Sequence, residues 1–292
     1  MQRRTRRAEV VLGGERLRLV YDEAGEGART ALFLHGITSS RRIWEPTLDA
    51  TPRGRRSIAL DLPGFGDSTL PRAPQDLPRY LAALTLFLEQ VAHPPVDVVG
   101  HSFGGMLAAL LALAQPGWVA CLVLVAPAGF VPPRASLTPL PHPLLNRLLL
   151  WSLARRRGGR DLLRGVGIPE EALTPVWRER LAHGLFRCRE ALRLKAFYET
   201  EPLGPRLFRA GRSSAYILGD ADPLFPLARI LPALGPGPVL LLREEGHVPM
   251  VGDSERFRLA LEQALALERA LACQGRGASS VKDERGGGAS AS

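Results

Sequence analysis

The chain has 292 residues, enough to bury a sizeable core as one large domain or as a domain with an insertion. Apolar residues make up 46% and mean hydropathy is zero, which excludes a disordered chain, and no window nears the roughly 18 unbroken apolar residues of a membrane-spanning helix. The formal charge of +9 is carried almost wholly by arginine, with Lys195 and Lys282 the only lysines. The densest basic clusters, "RRTRR" near the start and "RRRGGR" at 155–160, are not interleaved with aromatic residues, so nucleic acid is not an expected partner. Scattered arginine alongside abundant Ala, Leu, Pro and Gly reads as genomic base composition.

The basic start, "MQRRTRRAEVVLGG", has no apolar segment behind it, so no secretory signal is expected and the reading is cytoplasmic. "EVVLGG" and "RLRLVY" then flank a Gly-Gly-Glu turn and read as an antiparallel hairpin over 9–21. Continuous apolar runs follow: "TALFLHG" (30–36), "RSIALDLPG" (56–64), "VDVVG" (96–100), "ACLVLVAP" (120–127), "SSAYILGD" (213–220) and "PVLLLREEG" (238–246). Apolar residues without alternation mark strands buried on both faces, as in a parallel sheet. Helices are expected over 77–92, 103–115, 226–234 and 254–272. Strands alternating with helices give a doubly wound α/β sheet.

The alternation breaks once. Residues 128–210 carry many prolines and helical pieces but no strand signal, and read as a helical cap inserted after the sixth strand. The core is therefore expected over 1–127 and 211–273. The tail, 274–292, is polar and Gly/Ser-rich and reads as disordered. Cys121, Cys188 and Cys273 have neither paired nor metal-ligand spacing, so no metal and no disulfide framework is expected.

One short motif carries chemistry. Gly100-His101-Ser102-Phe103-Gly104 has the Gly-x-Ser-x-Gly spacing at a strand-to-helix turn. The turn is so tight that a Cβ two residues before or after the serine would meet backbone, hence the glycines. It lifts the Ser102 hydroxyl above the sheet edge and leaves the Phe103 amide at a helix start, where backbone donors lack intrahelical partners.

Here the chain resembles the α/β-hydrolase fold family in its capped form, over about residues 8–272. "LFLHGITSS" (32–40), "DLPGFGDS" (61–68), "LGDADPLFP" (218–226) and "EEGHVP" are similar to further family segments. The resemblance implies an eight-stranded, mostly parallel sheet flanked by helices, and a serine nucleophile at Ser102. A serine hydroxyl needs a base, and histidine titrates near working pH. His247, in a Gly-His loop between the last expected strand and the last helix, stands at the family's position for that base. His35 and His101, with Gly36, Gly100 and Gly104, read as motif support; His93, His142 and His183 are given no role. Asp220 and Asp222 both follow the seventh strand, and the family pattern aligns Asp222 as the acid, with Asp220 a turn residue. The resemblance also gives the oxyanion donors as the backbone amides of Phe103 and Ile37. Thr38 and Ser39 read equally as hydroxyl contacts or as caps of the helix near Arg41. Asp61 and Ser68 read as loop-stabilising, and Asp253 or Ser254 as the cap of the last helix.

Relatives that open epoxides or displace halide have aspartate at the elbow; serine favours attack on a carbonyl. The cap is rich in Leu, Trp and Phe, of which Trp151, Phe186 and Phe197 are the expected substrate contacts. The expectation is a cofactor-independent serine esterase acting on a small acyl compound with an apolar portion, without membrane insertion. Two alternatives stay open: a C–C bond hydrolase of ring-cleavage diketones, and a non-enzymatic ligand receptor on the same scaffold. "RRRGGR" reads as a solvated loop, with a second reading in which it joins "PLLNRLLLW" against anionic lipid.

Overall fold

The computed structural model describes residues 2–37, 39–133, 142–155, 183 and 202–283. Its centre is an eight-stranded sheet: β1 (Arg4–Leu12), β2 (Glu15–Ala24), β3 (Arg29–Leu34), β4 (Arg55–Leu60), β5 (Val96–His101), β6 (Val119–Val125), β7 (Ala215–Gly219) and β8 (Val239–Leu242). The spatial order is β1-β2-β4-β3-β5-β6-β7-β8. β1 pairs antiparallel with β2, and β2 antiparallel with β4; every later pair is parallel. The chain turns back from β1 to β2 through Gly13 and Gly14, both at positive φ.

After β3 comes a short helix, α1 (Glu45–Asp49). The two faces explain the unbroken apolar runs. Leu32, Leu34, Val98, Leu122, Leu124, Tyr216 and Leu218 point into one cluster, covered by α2 (Leu77–Phe87) and α3 (Phe103–Ala114). Their strand neighbours Ala31, Phe33, Val99, Val123 and Ile217 point into a second cluster, with Trp44 and with Phe257 and Leu261 of the last helix. Period-two alternation is present in space but invisible in hydropathy, because both faces are covered. Cys121 lies in the second cluster, and burial, then the Asp97 carboxylate, push its thiol up to about 12.

Several expected helix limits shift. The 77–92 segment is α-helical only to Phe87 and closes with a wider turn, Leu88–Ala92. The 226–234 segment is one short turn, Leu227–Ile230, followed by a tighter one, Leu231–Ala233; Pro226 and Pro232 limit it. The last helix runs from Ser254 to Asp283, past the point where a disordered tail was expected to begin. Once a helix is nucleated each added residue gains a backbone bond, and Gly275 and Gly277, at about 1 kcal/mol each, do not stop it. Asp253 caps its start by accepting from the Arg256 amide at 2.9 Å.

In the region read as a cap, α4 (Pro143–Arg155) and α5 (Leu203–Arg209) are described; 134–141, 156–182 and 184–201, with Phe186 and Phe197, lie outside the described residues. Leu203 and Leu207 of α5 are fully buried in the first cluster, and the Leu203 amide donates to Gly129. The chain is thus back in the core by Leu203, ahead of the boundary expected at 211, because α5 packs against α3 rather than on a cap. Among the described residues no helix is long and apolar enough to cross a membrane.

The elbow between β5 and α3 allows no added atoms. A Cβ on Gly104 would sit 2.4 Å from the Leu34 carbonyl oxygen, and one on Gly100 2.4 Å from the Gly104 carbonyl oxygen. Gly104→Ala is expected to cost about 3 kcal/mol or more, since only backbone is there to give way. A thermal melt within a degree or two of the parent protein would contradict that packing.

Candidate active site

All the candidate residues except Trp151, and apart from Phe186 and Phe197, which are not described, gather at the carboxyl ends of β3, β5, β7 and β8. In open α/β sheets this edge is where ligands bind, near the point where the strand order reverses. The reversal here lies between β3, which leads to β4 on one side, and β5 on the other.

Ser102 links β5 to α3 with φ 51° and ψ −115°, outside the regions a residue with a side chain prefers. Such a conformation costs of order 1–3 kcal/mol and persists only where the surroundings over-determine it. They do so here. The Ser102 amide donates to Val125 at 2.9 Å, and its carbonyl accepts from Met106 at 3.1 Å and Ala128 at 3.0 Å. The α3 segment Phe103–Ala112 is buried throughout, so the helix cannot shift to relieve the turn.

Asp222 and His247 meet although 25 residues apart: His247 Nδ1 donates to Asp222 Oδ2 at 2.9 Å, and both side chains are buried. The other carboxylate oxygen of Asp222 accepts from the amides of Leu224 (2.7 Å) and Phe225 (3.1 Å). Burial would raise the Asp222 carboxyl, but the bond and charge of His247 and these two amides outweigh it, holding Asp222 below the usual carboxylate range. Asp220 is the turn residue, accepting from the Glu244 amide at 2.6 Å.

His101 ties the elbow to the histidine loop. Its Nε2 donates to the His247 carbonyl at 2.8 Å, and the two rings lie 4.9 Å apart. Phe225 is the other ring neighbour of His247, with the centroids 5.4 Å apart. Among the described residues Ser102 Oγ makes no hydrogen bond; contacts of this kind often tighten only once substrate is bound.

The loop after β3 reaches the same place. Gly36 lies so close that a Cβ on it would be 2.9 Å from His101 Nδ1 and 3.2 Å from Ser102 Cβ. His35 Nε2 accepts from the Leu62 amide at 3.0 Å, which leaves Nδ1–H to donate to the Gly36 carbonyl at 2.7 Å. The Ser39 amide donates to the same carbonyl at 3.3 Å. In a trans peptide the N–H points opposite to the C=O. Fixing the Gly36 carbonyl therefore fixes the direction of the Ile37 N–H. Among the described residues neither that N–H nor the Phe103 N–H has an acceptor.

The loop is anchored by an ion cluster that sequence reading did not find. Arg41, almost wholly buried, forms an ion pair with Asp22 Oδ1 across 3.0 Å from Nε, and donates from one terminal nitrogen to Asp67 Oδ2 (2.9 Å) and to Asp61. Burial would lower its pKa, but Asp61, then Asp22 and Asp67, outweigh burial and hold it protonated. Asp61 also accepts from the Arg41 and Asp67 amides, each at 2.7 Å, and Ser68 Oγ accepts from Val20 at 2.9 Å, so their loop-stabilising reading stands. Ser40, rather than Ser39, caps the turn at Arg41, because its oxygen lies two residues before the Arg42 amide; Thr38 lies outside the described residues. Trp151 is 46% exposed on α4, with the Arg155 guanidinium 4.6 Å above its ring.

A strained serine, an aspartate-bound histidine and two amides without an acceptor among the described residues thus stand together on one sheet edge. Residues 31–260 match the alpha/beta hydrolase family, and the chain belongs to it. It is 29% identical over 269 residues to the dihydrolipoyllysine-residue acetyltransferase component of the acetoin cleaving system of Cupriavidus necator, covering 85% of this chain and 67% of that protein. A lipase of Mycobacterium tuberculosis is 41% identical over 102 residues, 35% of this chain and 38% of the lipase. Among solved structures, a bacterial membrane phospholipase A superposes with a TM-score of 0.68 at 26% identity, covering 90% of this chain and 86% of that one.

His35 and His101 make stability depend on pH. Burial lowers His35 to about 4 and His101 to about 3, the second helped by His247. Unfolded, both titrate near 6.5, so their stabilisation is complete above about pH 6.5 and is lost as pH falls from there toward 4 for His35 and toward 3 for His101. Melting temperature is expected to drop steadily between pH 6.5 and 4.5, and His101→Gln is expected to flatten that slope by about one proton. A flat profile over this window would count against two buried neutral imidazoles.

Proposed function

We propose that this protein is a serine hydrolase that cleaves a carboxylic ester, or a related acyl compound, bearing an apolar group. The observation that carries the proposal is the buried Asp222–His247 pair tied through His101 to the strained Ser102 elbow.

In this reading Ser102 Oγ attacks the carbonyl carbon and His247 Nε2 takes its proton. Asp222, holding Nδ1–H, fixes the tautomer that leaves Nε2 free to do so and stabilises the imidazolium that forms. The oxyanion settles against the Phe103 and Ile37 amides, each such donor being worth about 2.7–4 kcal/mol in comparable sites. The tetrahedral species expels the alcohol, which His247 protonates, and leaves an acyl-Ser102. Water attacks that ester with His247 again as base, and the acid departs with the free serine restored.

Serine at position 102, where an epoxide-opening relative would carry aspartate, supports carbonyl chemistry. Ester chemistry is supported by the names of the similar lipase and phospholipase. An apolar group suits Ile37, Leu224 and Leu227, which are only partly buried against the core. The chain spans two thirds of the first of its relatives and under two fifths of the lipase, so their substrates bear on this protein only through the chemistry.

Ser102→Ala is expected to abolish fluorophosphonate labelling and turnover of nitrophenyl esters of graded acyl length while leaving the melt unchanged. Asp222→Asn is expected to lower kcat by about 10⁴, as loss of the orienting acid does elsewhere, with Asp220→Asn near parental. Labelling of Ser102→Ala at full stoichiometry would falsify the assignment.

A further inference from the structure

Helix α4 has two unlike faces. Asn146 and Leu150 are buried, Leu150 in the apolar cluster that also holds Phe225, the neighbour of His247. On the opposite arc Leu144, Leu148 and Trp151 follow one another at i, i+4 and i+7, each 45–50% exposed, and Leu145 and Leu149 widen the stripe. Five large apolar side chains side by side in solvent are not a set of isolated exposures; such a patch marks a contact surface.

The charge on this helix says what kind. Its sequence, "PLLNRLLLWSLAR", holds two arginines and no acidic residue. Arg147 flanks the stripe, and Arg155, at its far end, lies over the Trp151 ring. An apolar stripe with a tryptophan at one end and cations at its margins suits the boundary between acyl chains and anionic headgroups. It suits a protein partner less, because nothing polar in the stripe fixes register or orientation.

We propose that the exposed face of α4 seats this protein on an anionic phospholipid surface, with Leu144, Leu148 and Trp151 entering the acyl boundary and Arg147 and Arg155 meeting lipid phosphates. Binding is peripheral, and it stands or falls independently of the chemistry at Ser102.

The test uses the full chain and sedimentable vesicles of phosphatidylcholine with or without phosphatidylglycerol. The expected result is at least about tenfold stronger binding to the anionic vesicles, weakening as salt rises and screening lengths shorten. Leu148→Asp with Trp151→Asp is expected to lower that binding about tenfold or more. Lipid brominated in the acyl chain should quench tryptophan fluorescence of the parent protein, and the quenching should be largely lost in Trp151→Phe, a variant that leaves charge and helix unchanged. Failure to bind anionic vesicles, or quenching undiminished in Trp151→Phe, overturns the proposal. So does a dimer in light scattering that the double variant splits while vesicle binding stays absent, since the stripe would then belong to a second copy.

Discussion

The sheet edge that carries the candidate site depends on how closely three stretches of backbone pass one another. The exit of β5, the first turn of α3 and the loop after β3 meet where Gly36, Gly100 and Gly104 stand, and no Cβ fits at any of the three without displacing a carbonyl or an imidazole. This closeness puts Ser102 in its strained conformation and brings the Ile37 and Phe103 amides to the same spot. The strain is offset by burying almost the whole of α3, whose Gly, Ala and Leu side chains let the helix lie against β5 and β6. A bulkier helix would stand off from the sheet, and the elbow would open.

Around that contact, charge and neutrality are divided with some economy. His35 and His101 are kept neutral by burial, and neutrality gives each of them one donor and one acceptor in a fixed direction. His35 uses both, toward Gly36 and Leu62; His101 uses its donor on the His247 carbonyl and leaves Nδ1 without a partner among the described residues. Arg41 does the opposite work as a permanent cation joining β2, the loop after β4 and the loop after β3. Removing one member of such a buried cluster leaves uncompensated charge, which is why breaking an ion pair of this kind costs more than its net contribution to stability suggests.

Local signals in the sequence carried most of the scaffold. Continuous apolar runs marked the buried parallel strands because both faces are covered, and the glycine spacing marked the elbow because backbone contact there excludes Cβ. Asp222 could be told from Asp220 by its place in a family pattern, and the geometry separates them in the same way. What sequence did not carry is set by partners far away along the chain. The bond from His101 to His247 spans 146 residues, and the Arg41 cluster draws on three aspartates, one in β2 and two in the loop after β4. No periodicity registers such contacts. The end of the last helix was misplaced for another reason: polar composition speaks to burial, and a helix can run on in solvent once its inner turns are packed.

Trp151 shows the same limit from the other side. Hydropathy recorded an apolar helix at α4, but hydropathy does not say which arc of a helix is covered. Asn146 is buried while its leucine neighbours are exposed, an inversion of the usual order. A polar residue takes an inner position when it has a partner there, as Asn146 does, and the leucines are then left outside by the geometry of the helix rather than by any failure of the core. An outward leucine stripe has no stabilising role in the free protein, since it gains nothing from water. Its contribution has to come from something that removes it from water, and the cations at its margins make a negatively charged lipid surface the partner whose own chemistry answers both the leucines and the arginines.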